Sequence, residues 1–332
     1  MTTRSLARRL LIVTAGIAGL VIAALAGAVA FGGPTAPPPL TSVIDAVKQR
    51  DRNDLPPVQH YRARDGAELA YRAYPAANPS GAAVVIHGSV GSSADVHEIA
   101  KALRDTGISA YAPDIRGHGA SGPRGDIAYI GQLEDDLGDL YTALDRQGAP
   151  SPRVLIGHSA GGGFALRVAA FPLGARFAGT ILLAPFLGVD APTTRPGGSG
   201  WVGVGVPRLI ALMILNRFNI RVFNGLAVFA FAVPPEARPY ITPDYSYRLF
   251  VNFGPHRDWR RDLASVRRPL VVLVGSADQL FNVDRYRDAL AAVPKARLEI
   301  LPGIDHMSVT YNASALAVVT KTVKDLLAGA QP

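Results

Sequence analysis

The sequence predicts an α/β fold: a mostly parallel central sheet with helices on both faces. Three observations carry the prediction. Short, continuous apolar runs recur at Ala82–Ile86, Val154–Ile156 and Leu270–Val274, as strands buried on both faces require. Helix-prone stretches alternate with them, which is the order of a parallel sheet. One run passes through a Gly- and Ser-containing turn, Gly157-His158-Ser159-Ala160-Gly161, straight into the helix-prone Gly162–Val168.

The elements follow in order. A hairpin is expected over 58–64 and 68–74, turned at Asp65-Gly66. Then come a strand at 82–86, a helix near 94–105, a strand at 108–112 and a helix near 133–145. The Ser159 turn follows, with its strand and helix, and a strand at 180–184 comes next. Strands at 270–274 and 296–300 and a helix near 315–327 close the fold. The alternation stops between Pro185 and Arg268, where an apolar, helical cap insertion is expected. Its middle, from Trp201 to Val233, contains Leu209–Leu215, Val222-Phe223 and Leu226–Phe231. It is read either as helices packed on the core or as an acyl-chain tunnel or lipid-dipping surface.

Ahead of this unit, Arg4, Arg8 and Arg9 precede an uncharged run from Leu10 to Phe31. At about 1.5 Å per residue its length is about 33 Å, against a hydrocarbon core of about 30 Å. A signal peptide's apolar region is shorter, about 7–15 residues. A signal anchor fits best, although Ala26-Gly27-Ala28 and Ala28-Val29-Ala30 would suit signal peptidase. The positive-inside rule places the domain on the extracytoplasmic side, or outside the cell after cleavage. The Pro-rich stretch that follows is read as a semi-rigid linker spacing the domain from the membrane, with a short helix at 41–50. The expected division is 1–31 anchor or signal, 32–55 linker, 56–184 with 269–332 core, and 185–268 cap.

G-x-S-x-G between a strand and a helix is the signature of a nucleophile elbow. A serine hydroxyl needs a general base, and the base needs an acid to fix its tautomer. The chain order for this fold is Ser, acid, His. Downstream of Ser159 only His256 and His306 occur. His306 follows the strand at 296–300 and is the candidate base, whereas His256 lies in the insertion. Asp278 follows the strand at 270–274 and is the candidate acid; Asp284, at the start of the next helix, is the runner-up. Asp305 adjoins His306, and adjacent side chains rarely face each other. Asp244, Asp258 and Asp262 lie in the insertion. The oxyanion donors are expected to be the backbone N–H groups of Ser89, after the strand at 82–86, and Ala160. His87 is read as a loop brace.

On the motifs His87-Gly88-Ser89, Asp114-Ile115-Arg116-Gly117-His118-Gly119-Ala120-Ser121, Gly157–Gly161, and Asp278 with His306, the chain resembles the α/β-hydrolase superfamily from about Val58 to Leu327. It is most similar to the branch of lysophospholipases, monoacylglycerol lipases and proline-iminopeptidase-type serine aminopeptidases. The resemblance implies bracing roles for Asp114, Arg116 and His118. A serine at the elbow argues against dehalogenases and epoxide hydrolases, whose nucleophile is an aspartate. The expected reaction is cleavage of a lipid-like ester through an acyl-enzyme. A prolyl aminopeptidase would need an acidic pocket, for which the cap offers Glu236 and Asp244. A perhydrolase would share the triad. A silent binding protein would lack a site residue, and none is missing.

Composition bounds the rest. Hydrophobic residues make up 48% of the chain, ample for a core, and there is no cysteine for a disulfide, a thiolate nucleophile or a cysteine-ligated metal. No cofactor and no metal are expected. The net charge of +8 is scattered, with no basic helix or aromatic-interleaved stripe, so nucleic acid is not an expected partner. Attraction to an anionic membrane surface is the better use of it.

Overall fold

A computed structural model describes residues 3–40, 52–238, 241–291, 293 and 295–330. The helix expected at 41–50 lies outside the described residues. The main sheet has eight strands: β1 (Val58–Arg62), β2 (Glu68–Tyr74), β3 (Ala82–Ile86), β4 (Ser109–Pro113), β5 (Arg153–His158), β6 (Gly179–Leu183), β10 (Leu270–Gly275) and β11 (Ala296–Leu301). Their spatial order is β1-β2-β4-β3-β5-β6-β10-β11. Pairing is antiparallel at β1/β2 and β2/β4 and parallel from β4 to β11.

Alternate residues of the central strands feed two separate cores, as the two-residue side-chain period of a strand dictates. Val85, Ile156, Leu183 and Leu273 pack with Ile99 and Leu103 of α2 (His97–Asp105) and with Val319 and Val323 of α9 (Ala313–Ala328). Val84, Leu155, Leu182 and Val272 pack with Leu137 and Leu140 of α3 (Gln132–Arg146) and with Phe164 and Leu166 of α4 (Ala160–Ala169). Both faces are therefore covered. From β3 the chain moves to β4 on one side and then to β5 on the other. That reversal is a topological switch point, and the crevice at the carboxyl ends of β3 and β5 is where such sheets bind ligands.

The segment between β6 and β10 is mixed rather than helical. It contains α5 (Val206–Arg217), α6 (Tyr247–Asn252) and α7 (Trp259–Ser265), together with an antiparallel sheet of β7 (Val202–Val204), β8 (Ala227–Phe231) and β9 (Asp244–Ser246). Leu209–Leu215 is helical as expected, but most of the 226–231 run forms β8. A five-residue apolar strand covered on both faces shows no period that separates it from a buried helix. The short α8 (Arg285–Leu290) lies between β10 and β11.

The helix α1 (Thr3–Phe31) contains Leu10–Phe31, which is long and apolar enough to cross a membrane, as an anchor or signal segment would be. Most of that run is exposed; Leu20, for example, is 72% exposed. The following residues do not act as a free spacer. Gly32–Leu40 runs along the 185–268 segment: Leu40 N–H donates to Ala232 O, and a Cβ at Gly203 would collide with Thr35 O. Glycines at 203 and 205 leave room for this approach, a packing signal that composition alone does not show.

Candidate active site

Ser159 closes β5 and opens α4 with φ 54° and ψ −119°, a conformation costing a residue with a Cβ about 1–3 kcal/mol. Its neighbours explain why it persists. A Cβ at Gly157 would strike Gly161 O, and one at Gly161 would strike His87 O, so the elbow tolerates only glycine at both places. Ser159 N–H donates to Leu183 O of β6 (2.9 Å), and Ser159 O accepts from Gly163 N–H (3.1 Å) and Phe186 N–H (3.0 Å).

The structure brings the three candidate side chains together. His306 Nε2 lies 3.0 Å from Ser159 Oγ, and His306 Nδ1 lies 2.8 Å from Asp278 Oδ2. A carboxylate can only accept, so Nδ1 carries the proton and Nε2 is free to take one from the serine. All three residues are buried. Burial alone would raise the Asp278 pKa. The charge and hydrogen bond of His306 and the N–H groups of Leu280 (2.8 Å) and Phe281 (2.9 Å) outweigh it, holding the carboxyl below its ordinary value. The His306 loop is held from the elbow itself: His158 Nε2–H donates to His306 O at 3.0 Å.

The rejected candidates lie elsewhere. His256 pairs with Asp262 (2.8 Å) and stacks on Phe171. Asp284 sits at the N-cap of α8, and Asp305 accepts from the N–H groups of Met307 and Ser308. Asp258 caps α7, and Asp244 pairs in β9.

Ser89 and Ala160 line one cavity with Ser159. The loop carrying Ser89 is braced from both sides. Ile115 N–H donates to His87 Nε2 (3.1 Å), and His87 Nδ1–H donates to Gly88 O (2.7 Å). Asp114 accepts from Ser93 N–H and Ala120 N–H, and Arg116 pairs with Asp136 and Asp65. Two residues of the 185–268 segment complete the brace, and neither was singled out by sequence. Trp201 Nε1–H donates to Ser89 Oγ (3.1 Å). Tyr245 OH accepts from Val90 N–H (3.3 Å) and donates to His118 Nε2 (2.7 Å). A tryptophan or tyrosine gives no sign of this in the sequence; only the fold brings residues so far apart into contact.

His87 and His118 face each other with ring centroids 4.9 Å apart, and both are fully buried. Burial lowers both pKa values, and the neighbouring His87 lowers that of His118 further. The unfolded chain thus binds more protons, so their contribution to stability is complete above the unfolded value of about 6.5 and falls away below it. The urea midpoint should drop as pH is lowered through that value, and His118→Gln should drop less. A flat wild-type profile would contradict this.

The cavity above Ser159 has a volume of about 630 Å³. Its walls are mainly aromatic and aliphatic, including Phe186, Phe229, Phe250, Phe281 and Val204, and Arg195 is the one charged residue among the described lining residues.

The family described as "Serine aminopeptidase, S33" matches residues 77–310. The chain belongs to that family. It is 27% identical over 257 residues to the monoacylglycerol lipase of Mycolicibacterium smegmatis, covering 73% of this chain and 86% of that protein. It is also 27% identical over 259 residues to a non-heme chloroperoxidase of Kitasatospora aureofaciens, covering 73% and 90% respectively. A soluble variant of monoglyceride lipase from Saccharomyces cerevisiae, solved with a substrate analogue, superposes with a TM-score of 0.62 at 17% identity, over 85% of this chain and 98% of that one. At that identity the likeness is one of fold, and it places the S33 chain in the α/β-hydrolase architecture.

Proposed function

We propose that the chain hydrolyses carboxylic esters of lipid-like substrates, monoacylglycerols or lysophospholipids, through an acyl-enzyme. The observation that carries this reading is the apolar cavity opening onto Ser159, within the roughly 300–1,000 Å³ range of small-molecule sites. Ser159 Oγ attacks the ester carbonyl as its proton passes to His306 Nε2. Asp278 orients the imidazole and stabilises its charged form. The N–H groups of Ser89 and Ala160 receive the developing oxyanion. His306 then gives its proton to the departing alcohol. Water attacks the acyl group with His306 again as base, releasing the acid and restoring Ser159.

The wall chemistry favours this over an aminopeptidase. No carboxylate is among the described lining residues, which include neither Glu236 nor Asp244. Arg195 would repel a substrate ammonium. The likeness to the M. smegmatis lipase supports the same reading. The 56–184 and 269–332 core would carry the triad, with 185–268 as its cap. Arg4, Arg8 and Arg9 before the apolar run support an anchor with its amino end in the cytoplasm and the catalytic unit on the other side.

An acyl-chain ladder tests the lipid class. Each methylene buried contributes about 0.8 kcal/mol, equivalent to about a fourfold rise in kcat/KM per carbon at 1.36 kcal/mol per decade. p-Nitrophenyl esters should climb this way until the cavity is filled. A plateau at butyrate would remove the lipid assignment and leave a short-chain esterase.

A further inference from the structure

One side chain, Arg208, binds the last carbonyls of α1. Arg208 of α5 donates from Nε to Val29 O (2.8 Å), from Nη2 to Ala30 O (3.0 Å) and from Nη1 to Ala227 O of β8 (2.8 Å). The last carbonyls of a helix have no partner within it, and a cation there also meets the negative end of the helix dipole. The Arg208 backbone N–H donates to Gly32 O (3.3 Å). Val29 is buried at this junction, and Leu25 and Ala28 pack beside it in the same core as Leu212. A Cβ at Gly205 would lie 2.7 Å from Gly32 O. Cleavage after Ala28 or Ala30 would remove the Arg208 acceptors or sever the chain beside them.

α5 also carries a partly exposed apolar stripe that continues into its C-cap. Val206, Ile210, Ile214 and Phe218 recur every four residues and are 50%, 51%, 38% and 73% exposed. Arg217 and Arg221 are exposed at its far end. Val206 and Val204, 50% and 38% exposed, also line the cavity above Ser159, so its solvent-facing rim comes within two residues of the Arg208 clamp.

We propose that α1 is a retained anchor docked on α5, and that Arg208 thereby holds the cavity mouth and the Val206–Phe218 stripe against the bilayer that α1 spans. This rests on the reading of α1 as a membrane span. The occupant of the stripe is lipid, because the stripe begins where an apolar run of 22 residues ends and is fixed to it by side-chain and backbone hydrogen bonds. Arg217 and Arg221 are placed to meet anionic headgroups at the same surface. A lipid ester would then enter from the leaflet without crossing water.

The test uses the full chain in phosphatidylcholine–phosphatidylglycerol vesicles. The chain has no cysteine, so a fluorophore on Ile210→Cys reports one position. Lipids carrying a nitroxide on the acyl chain should quench it, and should not quench a label on Lys321→Cys in α9, where the lysine side chain is 75% exposed. Arg208→Ala should abolish the Ile210 quenching. It should also lower turnover of vesicle-borne monoacylglycerol by about tenfold or more, the effect of losing a fixed effective concentration. Hydrolysis of soluble p-nitrophenyl butyrate should stay near wild type, which controls for folding. Intact mass of the membrane-extracted protein separates the two ideas. A chain beginning at Val29 or Phe31 overturns the span and the docking together. A chain retaining α1 but showing no quenching at Ile210, or an Arg208→Ala variant whose two activities change equally or not at all, overturns the docking alone.

Discussion

Ser159→Ala should lose about 10⁶-fold in kcat, the scale seen when a serine hydrolase loses its nucleophile, and should no longer be labelled by a fluorophosphonate. The expectation follows from the elbow. The hydroxyl is the group that His306 Nε2 reaches at 3.0 Å, and among the described residues the imidazole has no second hydroxyl partner. The alanine keeps a Cβ at φ 54°, so the fold keeps both its strain and its packing, and melting should be little changed. Residual activity should remain above the water reaction, because the N–H groups of Ser89 and Ala160 survive the substitution. Labelling that persists in Ser159→Ala would place the nucleophile elsewhere. A folded, unlabelled wild-type chain would favour a binding protein on the same scaffold.

The meeting of Ser159, Asp278 and His306 was legible because each follows the carboxyl end of a strand, continuous and apolar in β5 and β10 and alternating in β11. Ser159 follows β5, Asp278 follows β10 and His306 follows β11, and parallel pairing brings those ends to one edge. The strand boundaries fell within a residue or two of expectation, since buried parallel strands are short, continuous and flanked by Gly or polar turns. The 185–268 segment was not legible in the same way. Its apolar runs are too short to show a period, so β8 reads as readily as a helix. Its contributions to the Ser89 loop come from Trp201 and Tyr245, which lie 112 residues from Ser89 and 155 from Val90. Such long-range polar partners leave no local pattern. The course of Gly32–Leu40 was misread for a related reason: a Pro-rich stretch has the same composition whether it is solvated or laid along Gly203 and Gly205.

Asp278→Asn should keep the fold and lose about 10⁴-fold in kcat, as the corresponding change does in other Ser-His-Asp enzymes. Asp278 Oδ1 accepts from Leu280 N–H and Phe281 N–H, and Oδ2 accepts from His306 Nδ1–H. An amide can satisfy only one side of this arrangement. With its oxygen toward Leu280 and Phe281, its NH₂ faces His306, and the imidazole must shift its proton to Nε2. It then presents a donor to Ser159 and cannot take the hydroxyl proton. With its oxygen toward His306, the NH₂ confronts two backbone donors in a buried site, leaving them unpaired at a cost of about 1–3 kcal/mol per group. The first arrangement is the less costly, and it is the inactive one. The net lowering of the Asp278 pKa adds a check. The carboxylate is held ionised below its ordinary range, so protonation of Asp278 should not be what sets the loss of wild-type activity toward low pH. A folded Asp278→Asn enzyme with near wild-type kcat would show that the acid is another residue, and Asp284 would be the next to substitute.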